Sequence, residues 1–318
     1  MKLSIAVGAA VLSAATAASA GVTPYSDLIV FGDSLVDSGN IFTVTGGLVP
    51  DPTAGYFNGR FQEGPNFADL LNNEIEGSLL APSLLGGDNY AYGGARIVSN
   101  LGDGPGQDLI PDLDLQVGTY FFGTGGTADA DALYAINMAG NDIFAIGRGQ
   151  TGGLSADEYI ALAAQRTVAN VVALDQAGAT NILLMGVPNT TEAAGIALEN
   201  AILTSLAATD IEAEIFNFSY FDFFGTLLTD PNALGLPQQD LSVTCLEARE
   251  VVDGAIDCTG IFSFDGVHFT APIQAALFRE VSELVGINQV PAPGALALFG
   301  IAALGLGVRR RLSVGARA

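Results

Sequence analysis

The chain has 318 residues, with 34 Asp and Glu against 11 Lys and Arg, a single histidine and two cysteines. Lys2 is the only lysine, Arg309, Arg310, Arg311 and Arg317 crowd the C-terminus, and neither end holds an acidic residue, so the middle is strongly negative. A surface of that sign repels phosphate, which argues against nucleic acid and anionic membranes as partners, and the length suits one large α/β domain or two small ones.

Residues 1–20 have a basic start at Lys2, an apolar run and the small-residue ending Ala18-Ser19-Ala20. This pattern reads as a secretory signal cleaved after Ala20, with a buried N-terminal helix as the alternative. Leu28-Ile29-Val30-Phe31 follows as a continuous apolar run, the mark of a strand buried on both faces. It stops at Gly32-Asp33-Ser34. A tight turn from strand into helix places Ser34 where backbone N–H groups and a helix dipole converge. There Ser34 is either a nucleophile or the cap of the next helix.

Residues 41–66, rich in Gly, Pro and aromatics and including Tyr56-Phe57-Asn58-Gly59-Arg60-Phe61, read as a surface loop beside that serine. Asn66 to Ile75 has helical spacing, and Asn89-Tyr90-Ala91-Tyr92-Gly93-Gly94-Ala95 reads as a short strand ending in a double glycine. Residues 99–131 are polar and rich in Gly and Asp. Their Asp103, Asp108, Asp112 and Asp114 lack the helix–loop–helix spacing of a calcium loop and read as solvated loop carboxylates, so no metal site is assigned. Leu133 to Met138 is the next buried strand, ending at Ala139-Gly140-Asn141-Asp142.

Ser155 to Ala177 is a helix opened by a capping box, Ser155 with Glu158, and closed by Gly178. Strand Asn181–Pro188, a helix over about 192–208, strand Ile211–Phe218 and a short helix through Phe221–Leu228 follow. His268 opens the last helix, Ala271–Val285. Strands alternating with helices predict one mostly parallel sheet covered on both faces, with no linker dividing residues 24–288. Cys245 and Cys258, in an exported chain, predict a disulfide, with two free buried thiols as the alternative.

The candidate chemistry lies at the strand ends, where ligands collect in such sheets. Asp265 and His268, three apart, point the same way, so the carboxylate can orient the imidazole while the imidazole takes a proton from Ser34. Gly93-Gly94 and Asn141 offer N–H donors for an oxyanion. The blocks Phe31-Gly32-Asp33-Ser34-Leu35 with Asp37-Ser38-Gly39-Asn40, then Asn89 to Ala95, then Gly140-Asn141-Asp142, then Asp265-Gly266-Val267-His268, resemble the GDSL esterase/lipase family of SGNH hydrolases. Gly59-Arg60-Phe61, Gly64-Pro65, Gln116-Val117 and Asp230-Pro231-Asn232 add weaker echoes over residues 25–287.

That resemblance implies a flavodoxin-like three-layer α/β/α sandwich and a serine esterase or lipase working without cofactor or metal. In it Ser34 is the nucleophile, His268 the base and acid, and Asp265 the orienter. The Ser34 N–H, the Gly94 N–H and the Asn141 side chain form the oxyanion hole, with Gly93 as the alternative to Gly94. The sequence departs from the family at Ala139, where the family has glycine.

At the far end, Val290-Pro291-Ala292-Pro293-Gly294, apolar Ala295 to Val308 and Arg309-Arg310-Arg311 resemble the PEP-CTERM sorting signal, with Ala292 in place of the name-giving glutamate. The apolar part is short for a span of about 20 residues, and a plain tail anchor is the competing reading. The resemblance implies export past a signal peptidase, transient anchoring in the inner membrane, processing by an exosortase-type enzyme and a cell-surface or extracellular destination. The substrate is then a small-molecule or lipid ester, or an acetylated exopolysaccharide. A non-catalytic surface protein on the same fold is the reading from a different class.

Overall fold

In a computed structural model, β1 (Leu28–Gly32), β2 (Leu133–Asn137), β3 (Asn181–Met185) and β4 (Glu214–Phe218) lie side by side in that order, all parallel. The structure describes residues 24–99, 109–248, 251–252 and 255–287. The signal and sorting segments read from the sequence, and Asp103 and Asp108, lie outside them. Among the described residues no helix is long and apolar enough to cross a membrane.

Every residue of β1 and β2 is buried, because helices cover both faces of the sheet. Alternate side chains supply two cores. On one face Ile29, Phe31, Tyr134, Ile136, Ile182 and Leu184 meet α3 (Leu113–Thr124), α4 (Gly140–Arg148), α5 (Ala156–Ala177) and α6 (Ala193–Ala207). On the other, Leu28, Val30, Leu133, Ala135, Leu183 and Met185 meet α2 (Phe67–Glu76), α7 (Tyr220–Thr229) and α9 (Ala271–Leu284). This is the expected three-layer α/β/α sandwich.

The strand expected at residues 89–95 is an irregular ribbon rather than a full strand. The Val30 N–H donates to Asp88 O (3.0 Å), the Tyr90 N–H to Val30 O (2.7 Å) and the Tyr92 N–H to Gly32 O (3.1 Å), and Asn89 forms a parallel bridge with Val30. The ribbon flanks β1 opposite β2, so the chain passes through the sheet in the order 2-1-3-4-5, the doubly wound flavodoxin-like arrangement. Regular pairing ends there because the chain turns away at Gly93-Gly94, with Gly94 at φ +86°.

Two expected loops hold more structure than their composition indicates. Within residues 99–131, Leu113, Gln116, Val117 and Tyr120 form the buried stripe of α3, a stripe obscured in sequence by the exposed Leu115 and Phe122. Asp112 is buried and accepts the Arg96 N–H (2.9 Å), so it is not the solvated carboxylate expected, whereas Asp114 is exposed on α3 and pairs with Arg166 (2.6 Å). Within residues 41–66, α1 (Asn40–Val44) forms, and buried Arg60 pairs with buried Asp69 (2.7 Å).

Between α7 and α9 the chain builds a small lobe: β5 (Asp240–Thr244), α8 (Cys245–Ala248), β6 (Val251–Val252), β7 (Ala255–Ile256) and β8 (Ile261–Ser263). Cys245 and Cys258 form the expected disulfide, with Cα atoms 5.4 Å apart. Both sulfurs and Phe264 are the centre of a third apolar cluster, joined by Tyr56, Ile256 and Ile261.

Ala139, the departure from the family pattern, precedes α4 at φ +98°. A side chain bearing Cβ is strained there, whereas glycine is not. Ala139→Gly is therefore expected to stabilise the fold by about 1 kcal/mol, seen as a higher midpoint in denaturant unfolding.

Candidate active site

The nucleophile turn is built on a close backbone approach. A Cβ at Gly32 would lie 2.4 Å from Val36 Cγ2 and 2.6 Å from Asn137 O, so only glycine lets the chain reverse at the end of β1. Gln116 clamps this point from α3. Its Oε1 accepts the Gly32 N–H (2.8 Å), and its Nε2 donates to Gly32 O (2.9 Å) and Pro111 O (2.8 Å). Residues 33–37 then close one helical turn, with the Asp37 N–H donating to Asp33 O (2.9 Å). The next helix, α1, starts only at Asn40 and is five residues long. Ser34 thus sits in an isolated turn rather than at the head of a helix, and the expected dipole is not there.

Side-chain carboxylates and amides tie this turn to the ribbon carrying Gly93 and Gly94. Asp37 is fully buried and accepts four N–H groups, those of Gly39 (2.7 Å), Asn40 (2.7 Å), Ile41 (3.2 Å) and Gly93 (2.9 Å). Asn40 donates to Asn89 O and Ala91 O, and Asn89 donates back to Val36 O. The Gly93 N–H is therefore committed to Asp37.

Asp265 and His268 arrive on the turn between β8 and α9. Asp265 Oδ1 accepts the Val267 N–H (3.0 Å) and the His268 N–H (2.9 Å), folding the loop around the carboxylate. Asp265 Oδ2 lies 2.7 Å from His268 Nδ1, and His268 Nε2 lies 2.7 Å from Ser34 Oγ. An ionised carboxylate has no proton to give, so Nδ1 carries the hydrogen and Nε2 is left to accept from the Ser34 hydroxyl. Burial alone would push the Asp265 carboxyl up; the hydrogen bond and charge of His268, with the two backbone N–H groups, outweigh it and hold it at about 2. The Phe61 ring packs on the imidazole, centroids 5.1 Å apart. Asn141, in the first turn of α4, donates one amide hydrogen to Ala95 O (3.0 Å), and an amide has two.

Ser34 and Asn141 both line a cleft of about 530 Å³. One wall is apolar, with Phe144, Phe224, Leu228, Leu241, Val243, Phe262 and Phe269; another is the polar run Asn189 to Glu192. The sequence-predicted residues Ser34, His268 and Asp265 thus form a chain of contacts, and Asn141 shares the cleft that Ser34 lines. Sequence reading missed Tyr56, whose hydroxyl donates to Asp265 Oδ2 (2.9 Å), and the structural parts of Asp33, Asp37 and Asp142. Among the described residues no cluster of His, Cys, Asp and Glu is arranged to hold a metal ion.

The GDSL-like lipase/acylhydrolase family model matches residues 28–281, and the chain belongs to that family. The PEP-CTERM protein-sorting motif matches residues 289–311. A phosphatidylcholine-sterol acyltransferase of Aeromonas hydrophila is 30% identical over 168 residues, 52% of this chain and 45% of that protein. Lipase 1 of Photorhabdus luminescens is 30% identical over 191 residues, 59% of this chain and 26% of that protein. The chain thus spans less than half the length of either curated relative. Among solved structures, an acetylxylan esterase from Geobacillus stearothermophilus aligns over 85% of this chain and 99% of its own, at 14% identity and a TM-score of 0.42.

Buried carboxylates surround the site. Burial pushes Asp33 up to about 7, the Leu35 N–H offsetting part of this and the Asp142 and Asp37 charges adding to it. Burial likewise raises Asp142 to about 6 and Glu63, which precedes α2 and accepts the Ala271 N–H of α9, to about 7. A carboxyl raised in the folded state binds a proton the unfolded chain has lost, so its stabilisation is full below about pH 4 and disappears as pH climbs through 6 to 7. Unfolding free energy is therefore expected to fall between pH 4.5 and 7.5. Denaturant titrations across that range check this, and Asp33→Asn should flatten the slope.

Proposed function

We propose that this protein is an exported serine hydrolase that cleaves carboxylic esters through an acyl-Ser34 intermediate. The observation that carries the reading is the unbroken Asp265–His268–Ser34 relay, two contacts of 2.7 Å each, at the wall of an apolar-lined cleft. Family membership supports it. So do the sorting motif and a protein named as a secreted effector in Salmonella typhimurium, 26% identical over 165 residues, which favour export to the surface.

In this reading Ser34 Oγ attacks the ester carbonyl as His268 Nε2 takes its proton, and Asp265 holds the resulting imidazolium. Negative charge on the carbonyl oxygen meets the N–H groups of Ser34 and Gly94 and the Asn141 amide. Collapse expels the alcohol with the proton from His268. Water, deprotonated by the same nitrogen, then releases the acid. No metal or cofactor enters these steps. Residues 24–288 form the hydrolase domain, residues 1–20 the export signal, and residues 290–318 the sorting segment that an exosortase-type enzyme would process.

The apolar wall favours a substrate with an acyl chain. The polar run Asn189 to Glu192, together with the sorting motif, favours instead an acetylated surface glycan. A scaffold without turnover has no reason to hold the Ser34–His268 contact. Hydrolysis of p-nitrophenyl esters from acetate to palmitate separates these readings. The acyl-chain reading expects an optimum beyond acetate, and the glycan reading expects acetate release from an acetylated polysaccharide. Ser34→Ala should lower kcat about 10⁴-fold or more without unfolding the chain, and Asn141→Ala by about 10²- to 10³-fold. Undiminished turnover in Ser34→Ala would discard the proposal.

A further inference from the structure

The disulfide lobe does more than decorate the sheet, because one side chain passes from its core to the relay. Tyr56 follows the short helical turn Pro52–Ala54 and is half-buried. Its ring stands edge-on to Phe264 with centroids 5.0 Å apart, inside the cluster that holds Cys245 and Cys258. Its hydroxyl reaches out of that cluster to Asp265 Oδ2, the same oxygen that faces His268 Nδ1. Gly55 makes the fit possible: it has φ +101°, and a Cβ there would lie 2.4 Å from Ile256 Cδ1.

We infer that Tyr56 is a positioning residue of the ester-cleaving site, aiming and tempering the Asp265 carboxylate from the disulfide lobe. The inference rests on the proposed hydrolytic role of the relay. Asp265 has two oxygens and four donors: Oδ1 takes the backbone N–H groups of Val267 and His268, and Oδ2 takes Tyr56 and the imidazole. Without the phenol, Oδ2 would have the imidazole as its one partner, and the carboxylate would be held against rotation by one donor fewer: the imidazole on Oδ2 and the two backbone N–H groups on Oδ1. A phenolic donor also draws charge from the carboxylate, which weakens its pull on the imidazolium. Burial and the Asp265 charge raise the Tyr56 phenol, so it keeps its proton and acts as a donor through the neutral range.

The titratable groups facing the Asp265 carboxylate are Tyr56 and His268. Ser34 lies beyond the imidazole, buried Asp33 lies next to Ser34, and Glu63 holds the first N–H of α9. Removing the hydroxyl alone leaves the carboxylate more basic. The imidazolium is then favoured, and the acid limb of the kcat/KM profile moves to higher pH.

The test is Tyr56→Phe in the full chain, with p-nitrophenyl ester turnover measured from pH 5 to 9. The expected result is an acid limb displaced upward by about 0.5 pH unit, a several-fold lower kcat and a near-constant KM. Ring-proton NMR of the chain's single histidine should move the same way. An acid limb that stays in place or moves down would overturn the inference. Replacing Tyr56 with 3-fluorotyrosine, a more acidic phenol and stronger donor, should shift the limb in the opposite direction, and it decides the matter should the phenylalanine variant not fold. An inactive wild-type chain would fail the ester-hydrolase reading itself, whereas an active wild type with an unmoved variant fails only this inference.

Discussion

Ser34 and His268 are separated by 234 positions in the chain and stand 2.7 Å apart in the fold. Everything else about the site serves that contact. It needs β1 to stop sharply, which depends on the Gly32 backbone lying against Asn137 with no room for a side chain. It also needs the loop before α9 to return over the same end of the sheet. That loop is held by Asp265 bonds to its own backbone and by the packing of Ile273, Leu277 and Val281 on the sheet. Two distant segments thus meet because a parallel sheet delivers its strand ends to one edge.

The means of holding the turn in place is less usual. Gln116, Asp37, Asn40 and Asn89 are all buried, and each trades several hydrogen bonds with backbone groups that no strand or helix satisfies. A buried carboxylate costs stability unless its charge is met; burial raises the Asp37 carboxyl to about 6, and its four N–H donors offset part of that cost. Asp142 repeats the device on α4, accepting the N–H groups of Ile97 and Val98 and the Tyr159 hydroxyl, so the segment after Gly94 is fixed to the helix that carries Asn141. Irregular backbone is made rigid by side chains that replace the missing ladder.

Much of this was legible in the sequence. The apolar runs marked β1, β2 and β3, the strand expected at Ile211–Phe218 contains β4, Ser155 with Glu158 marked the start of α5, and the spacing of Asp265 and His268 marked the end of the relay. The capping box is observed on both sides, and α5 ends at Gly178 in a left-handed conformation. What escaped the reading has physical reasons. The buried stripe of α3 is four residues among glycines and exposed apolar side chains, so its period is faint. The ribbon beside β1 is paired by three backbone bonds, too few to impose an alternating pattern. Tyr56 carries no local signal, since its partner lies 209 positions away. Ser34 was expected at the head of a helix, and the structure puts a free-standing turn there, because Asp37 claims the N–H groups that a longer helix would have used.

The charge of the chain bears on how such a site can work. Six arginines and no lysine lie between residues 21 and 308, against 34 acidic residues. Arg60 is committed to Asp69, Arg166 to Asp114, and Arg148 lies over the Phe144 ring, 5.4 Å from its centroid. Among the described residues, those lining the cleft include no arginine or lysine. Developing negative charge on a substrate oxygen would therefore be met by neutral donors, backbone N–H groups and the Asn141 amide, in a protein whose overall field opposes it. Dipoles work at short range and gain from exclusion of water, whereas the repulsion of distant surface carboxylates is screened by solvent and salt. The dense hydrogen bonding of the neighbouring buried carboxylates has the same effect from the other side, because each N–H they accept spreads negative charge that would otherwise face the cleft. In the proposed mechanism an acidic surface and an anionic intermediate would be compatible, because neutral donors act at short range while most of the acids are far away.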